Sequence, residues 1–209
     1  MDSTYKFSFT AGSLLLNETL KVAEVYLQTR DWNETASRVF SDNILQRNTV
    51  SSQKRVFQEV QRRLKTLRDE EIAFLLQAPL EDQKQMIFLS ICRFYGFIRD
   101  FVLHVLRQNF LSMKTILWDA DYFRFAEGIT LEHQEYENLS EKTKKKVHQV
   151  LLRLLVEVGL LTSIHEGSIL PLIVSTDLQH LIANNDPAEL ALFLYTDQQI
   201  KDVVNRYGQ

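Results

Sequence analysis

Three prolines and six glycines are all that interrupt a chain of 209 residues, and this scarcity limits the fold more than any other property of the sequence. Proline removes a backbone donor and glycine loosens the backbone, so both collect where chains turn. A many-turned β sandwich needs such residues at short intervals, whereas long helices do not. Hydrophobic residues at 45% and charged residues at 24% are the mix of a globular protein. The length suits one large domain or two small ones.

Apolar spacing places the helices. Leu16, Leu20, Ala23 and Leu27 mark a first helix over Leu14–Leu27, preceded by Thr10-Ala-Gly-Ser13. Asp31-Trp-Asn-Glu34 caps a second, from Glu34 to about Asn43, and Asn48-Thr-Val-Ser-Ser52 supplies a hydroxyl cap for a third, about Gln53 to Leu67. Asp69-Glu-Glu-Ile72 opens a fourth. After Pro79, Glu81 to Leu106 reads as one long central helix. Ser140 caps a helix over Glu141–Val158 that Gly159 ends in a left-handed cap. Leu160–Ile164 and Ile169–Val174 then bracket His165-Glu-Gly-Ser168 as a β-hairpin. Two short helices, near Asp177–Ala183 and Pro187–Tyr195, and a last turn at Gln198–Tyr207 finish the chain. The expected organisation is an N-terminal helical subdomain, 1–78, then 79–209 with the long helix and a winged-helix-like end, or one continuous domain. The acidic stretch from Leu117 to Glu137 is the best internal boundary.

The net charge of −3 is unevenly distributed. Seven Lys and Arg against one acid occupy Arg47–Arg68, and seven acids against one base occupy Asp119–Glu141. Local sign governs partners more than the total does. On the third helix, Val56, Phe57, Val60, Leu64 and Leu67 form an apolar stripe opposite Lys54, Arg55, Gln58, Arg62 and Lys65. Such a face suits docking on phosphates, each neutralised cation releasing a counterion, with free N–H groups near Ser51 and Ser52 adding to the grip. It equally suits a merely solvated surface. On the Ser140 helix, Val147, Val150, Leu151, Leu154 and Val158 make the stripe, and Lys142, Lys145, Lys146, Gln149 and Arg153 the polar side. A capped basic helix followed by a hairpin is the layout of a winged helix, where the helix enters a groove or merely holds proteins together.

Catalytic signatures are lacking. No phosphate-binding glycine loop is present. The histidines at 104, 133, 148, 165 and 180 are scattered, and His133-Gln-Glu135 has half of a deaminase signature without its cysteines, which reads as solvated surface. Cys92 lies in an apolar run and suits a core position. One cysteine excludes an internal disulfide and fits a reducing compartment. No leader opens the chain and no stretch reaches the ~20 apolar residues of a membrane span. A non-enzymatic, cytoplasmic binding protein with no metal and no cofactor is expected.

Three blocks carry a family resemblance: SFTAGSLLLNETLKVAEVYLQTRDWNETASRVFSDNILQRNTVSSQKRVFQEVQRRLKTL, ICRFYGFIRDFVLHVL, and LSEKTKKKVHQVLLRLLVEVGLL. Together they resemble the BrxA family of the BREX bacteriophage-defence systems. Glu157-Val-Gly-Leu160 stands where the family pattern has Glu-Ala-Gly-Leu, a change of packing only. The resemblance implies a mainly α, multi-helical body similar to NusB with helix-turn-helix character. It also implies binding to double-stranded DNA without catalysis, no membrane and no small-molecule substrate, and other BREX subunits as further partners. Carried onto this chain, the implied DNA-binding residues are Ser51, Ser52, Lys54, Arg55, Arg62, Arg63 and Lys65, then Lys142, Lys144, Lys145, Lys146 and Arg153. The competing readings are a protein–protein adaptor docking through the acidic 119–141 segment and a helical RNA-binding factor.

Overall fold

The computed structural model describes residues 5–11, 14–130 and 133–207. Among the described residues it is mostly helical, with no sheet. The chain forms two compact units, one being Ser8–Phe94 and the other the first seven residues together with the chain from Tyr95 onward. The expected division after residue 78 and the observed one at Phe94–Tyr95 differ by the length of one helix. The acidic 119–137 stretch lies inside the second unit. Residues 12 and 13 of the Thr10–Ser13 turn, and Glu132 of the acidic run, lie outside the described residues.

The first unit is built from α1 (Leu16–Thr29), α2 (Trp32–Ser41), α3 (Val50–Leu64), α4 (Asp69–Gln77) and α5 (Leu80–Phe94). The caps decide the starts. Asp31 accepts from the backbone N–H groups of Asn33 and Glu34, both at 2.8 Å, and sets the first turn of α2. Thr49 does the same for α3 by accepting from Ser52 N at 3.2 Å, so that helix begins at Val50, three residues before the expected Gln53. At α4, the Glu71 carboxylate reaches back to Arg68 N at 2.7 Å, the reciprocal half of a capping box. Glu71 also receives both terminal nitrogens of Arg93, each at 2.7 Å, a two-pronged pair that fixes α4 to α5. Met86 through Cys92 is buried at every position, so Cys92 is a core residue, as its neighbours imply.

The single helix expected over Glu81–Leu106 is instead divided. Tyr95 takes an extended backbone (φ −111°, ψ 92°) between α5 and α6 (Gly96–Phe101), after which the chain widens through Val102–Leu106 and resumes as α7 (Arg107–Leu111). The cause is local packing. The Tyr5 ring lies so close to Gly96 that an added Cβ would be 3.2 Å from it, and Tyr5 packs edge-on against Phe97, with ring centroids 5.8 Å apart. Apolar periodicity continued through this point and concealed the break.

In the second unit α8 (Asp119–Thr130), α9 (Gln134–Glu137), α10 (Glu141–Val158), α11 (Thr176–Asn185), a 3₁₀ turn at Pro187–Phe193 and α12 (Asp197–Tyr207) follow. Ser140 caps α10 by accepting from Thr143 N at 3.2 Å. Gly159 closes the helix at φ 92°, where a side chain would be strained. The predicted hairpin does not form. Two isolated antiparallel bridges stand in its place, Leu161 with Ile169 and Ile116 with Ser168. Pairing cannot extend because Pro171 lacks a donor beyond Leu170. At the other end the Ser163–Gly167 loop coils tightly, with Glu166 at φ 48°. The third segment, at Ile116, supplies the bond from Leu117 N to Gly167 O at 3.0 Å. The paired segments are too short to be strands, and the wing of the expected winged helix is absent among the described residues.

His133 is buried, contrary to its expected solvated position. Its ring stacks on Tyr5 at 3.6 Å and its Nδ1 lies 3.1 Å from Glu135 Oε1, which also accepts from Tyr5 N at 2.6 Å. That backbone bond is the first cause that holds the Glu135 carboxyl below the ordinary range. The pair is a clamp on the amino-terminal segment.

Candidate nucleic-acid interface

Advancing about 100° per residue along α3, the buried positions Gln53, Val56, Phe57, Glu59, Val60, Arg63 and Leu64 cover one side. Lys54, Lys65, Gln58, Ser51, Arg62 and Arg55 then share an arc of about 100° on the other, and all six are exposed. Ser52 is exposed too, but its N–H is already taken by Thr49. That leaves Ser51 as the hydroxyl set among the cations.

Arg63 does not belong to this surface. Its side chain is 1% exposed, its Nε donates to Glu59 Oε1 at 2.8 Å, and its Nη1 donates to the Leu14 carbonyl at 3.3 Å. Arg63 sits one position beyond Arg62, and a 100° step is enough to carry it from water into the core. Arg62 and Arg63 straddle the edge between the exposed arc and the buried side.

Pairing separates the remaining cations. Of the eight arginines in Ser8–Phe94, Arg30, Arg38, Arg47, Arg63, Arg68 and Arg93 each meet a carboxylate. Lys84 pairs with Glu81, and Lys21 donates to the Ile44 carbonyl. Arg55, Arg62 and Lys54 form no ion pair or hydrogen bond among the described residues. Lys65 lies 5.6 Å over the Trp32 ring, which orients the ammonium without neutralising it.

The second predicted group divides in the same way. Lys142, Lys145, Lys146 and Arg153 are exposed, share an arc of about 100° on α10, and have no partner among the described residues. Lys144 points elsewhere. It pairs with Glu141 at 3.1 Å and lies 5.8 Å over Tyr136, beside a cavity of about 400 Å³ between α8, α9 and α10. Sequence reasoning named Lys144 and Lys145 for a DNA surface and missed the other residues of that cavity. The signal was present in the paired spacing of Phe123 with Glu127 and of Glu141, Lys144, Lys145 and His148, but polar residues at i, i+3, i+4 and i+7 are normally read as solvated.

Among the described residues, no cluster of three His, Cys, Asp or Glu side chains is placed to hold a metal ion. Nor is any helix long and apolar enough to cross a membrane.

The arrangement defines a helical protein of two units, a fold shared with a solved structure of an uncharacterized protein from Magnetospirillum magneticum. That structure superposes with a TM-score of 0.80 at 21% identity, covering 91% of this chain and 97% of the other. The BrxA family model matches residues 3–186, and the chain belongs to the BrxA family, a component of the BREX phage-defence systems. It is 29% identical over 160 residues to the BREX protein BrxA of Bacillus cereus (strain H3081.97), covering 77% of this chain and 80% of that protein. To the BREX protein BrxA of Escherichia coli O9:H4 (strain HS) it is 21% identical over 158 residues, covering 76% and 74%.

Proposed function

We propose that this chain acts without catalysis, as a double-stranded DNA-binding accessory protein of a BREX system in the cytoplasm, and holds the phosphate backbone with little reading of base sequence. One observation carries the reading: Lys54, Arg55 and Arg62 share one exposed arc of α3 and are unpaired, while the unit's other arginines are held by carboxylates. Surface cations that stabilise a fold are found beside acids. Cations kept apart from acids on a rigid helix leave their charge for a polyanion. The exposed Lys142, Lys145, Lys146 and Arg153 on α10 are a second surface of the same kind.

Backbone binding makes affinity fall steeply with salt, with a log–log slope of about −0.9 per phosphate contact. Fluorescence anisotropy of a labelled duplex, titrated at several salt concentrations, measures that slope. Reversal of Arg55 and Arg62 to Glu is expected to reduce it by about one per residue and to weaken unrelated sequences alike. Equal binding by parent and variant refutes the assignment of α3.

A second reading, an adaptor that docks other BREX subunits, is favoured by Trp118. The indole is 49% exposed beside Asp119, and it shares a small cavity with His165 and Glu166. Co-purification that survives high salt and nuclease, and is lost in Trp118→Ala, favours the adaptor.

A further inference from the structure

The cavity between α8, α9 and α10 has an unusual distribution of charge. Its volume of about 400 Å³ is that of a small-ligand site, typically ~300–1,000 Å³. Tyr122 and His148 form an aromatic wall, their rings stacked at 4.0 Å, and Tyr122 OH is fixed by Tyr136 OH at 3.2 Å. Phe123, with its ring 5.5 Å from His148 and 53% exposed, stands at the mouth. An exposed phenylalanine beside a cavity is an open π-face rather than core.

Two opposite charges line the same space without meeting. Glu127, one turn along α8 from Phe123, has no partner for its carboxylate among the described residues, and Lys145 on α10 has none for its ammonium. Glu141 and Lys144, also in the lining, neutralise each other at 3.1 Å. Beside the His148 Nε2, which has no hydrogen-bond partner, the unpaired charged groups of the lining are therefore one carboxylate and one ammonium, on different helices, flanking an aromatic wall. An occupant that satisfies them is flat, carries a hydrogen-bond donor at one end and is anionic at the other. A zwitterionic amino acid has both charges at one end and does not match.

We propose that this cavity binds a nucleotide with an exocyclic amino group. The base stacks at Phe123, its amino group donates to Glu127, as carboxylates accept from amino groups of bases, and its phosphate meets Lys145. Lys145 also borders the exposed face of Lys142, Lys146 and Arg153. The same chemistry thus comes either from a free nucleotide or from an unpaired nucleotide in a strand lying along α10. Only the strand source rests on the DNA reading above.

The test uses the full chain and 2-aminopurine, whose emission falls when it stacks. One arm titrates protein into a duplex carrying 2-aminopurine as a single-nucleotide bulge and a distant anisotropy label. The other titrates the free 2-aminopurine nucleotide, with guanosine and inosine monophosphates as competitors that differ only in the amino group. Quenching in the bulge arm indicates a strand source, and quenching in the free arm alone indicates a nucleotide ligand. In whichever arm responds, Phe123→Leu, a change at an exposed position, is expected to abolish quenching. Guanosine monophosphate should outcompete inosine monophosphate by about tenfold in the parent, within the range of one good base contact, and not at all in Glu127→Ala. Emission unchanged in both arms overturns the proposal, as does quenching by Phe123→Leu equal to the parent. A duplex that shows no anisotropy change counts against the DNA reading instead, and the free arm then decides this one.

Discussion

Arg63 is the position at which a reading from charge alone and a reading from burial diverge most, and Arg63→Ala distinguishes them. The guanidinium is 1% exposed and its Glu59 partner 3%, at 2.8 Å, with a further bond to the Leu14 carbonyl. Removal leaves the Glu59 carboxylate inside the unit without this guanidinium, a loss of about 3–5 kcal/mol for a buried pair broken on one side. Against a domain stability of ~5–15 kcal/mol, that is enough to lower the urea midpoint sharply. Lys54, Arg55 and Arg62 are exposed and unpaired, so each reversal should change stability by no more than about 0.5 kcal/mol while reducing duplex affinity. The double variant Glu59→Leu with Arg63→Met removes both charges and fills the space. Replacing a buried pair in this way is often neutral, so the double variant should recover most of what the single one loses. Urea unfolding followed by circular dichroism, with duplex anisotropy on the same samples, measures both effects. A cost below about 1 kcal/mol for Arg63→Ala, far under the range for a broken buried pair, would refute the argument. So would a loss of DNA affinity at unchanged stability.

Three further outcomes follow from other packing features. Tyr5→Ala removes a buried ring stacked on His133 and a bond to Asp100 at 2.7 Å; it should cost about 3 kcal/mol or more, measured by chemical denaturation. Burial lowers the pKa of His148 below its ordinary 6.5, against an opposing pull from Asp119. The unfolded chain therefore takes up a proton first, and stability is complete above pH 6.5 and falls as pH drops below it. A Tm series between pH 5 and 8 should show this slope, and His148→Gln should flatten it. Gly159→Ala places a side chain at φ 92° and should cost about 1 kcal/mol, read from the same unfolding curves.

Short-range chemistry was legible in the sequence wherever one residue decides a local hydrogen bond. Asp31, Ser140 and Gly159 set helix ends that the structure reproduces, because a cap needs only its own neighbours. The interruption at Tyr95 was hidden because its cause, the Tyr5 ring against Gly96, lies 91 residues away in sequence and leaves no mark on apolar periodicity. The hairpin was overestimated for the opposite reason. β-prone residues flank a turn, but Pro171 and the tight Ser163–Gly167 loop permit only single bridges, and the Ile116 segment that completes the contact could not be foreseen.

The candidate surface was legible as a set of residue types and less so as a set of roles. A basic run records which charges are present but not which have been neutralised, and pairing is a property of three dimensions. Arg62 and Arg63 are chemically identical and adjacent, yet one is unpaired in solvent and the other is locked to Glu59 beneath it. The apolar stripe already contained the distinction, since Arg63 falls four residues after Glu59 and three after Val60, on the buried side. A buried acid at that spacing requires a buried base. Glu59, the one acid in the Arg47–Arg68 run, is for that reason the residue that identifies which of the two adjacent arginines is structural.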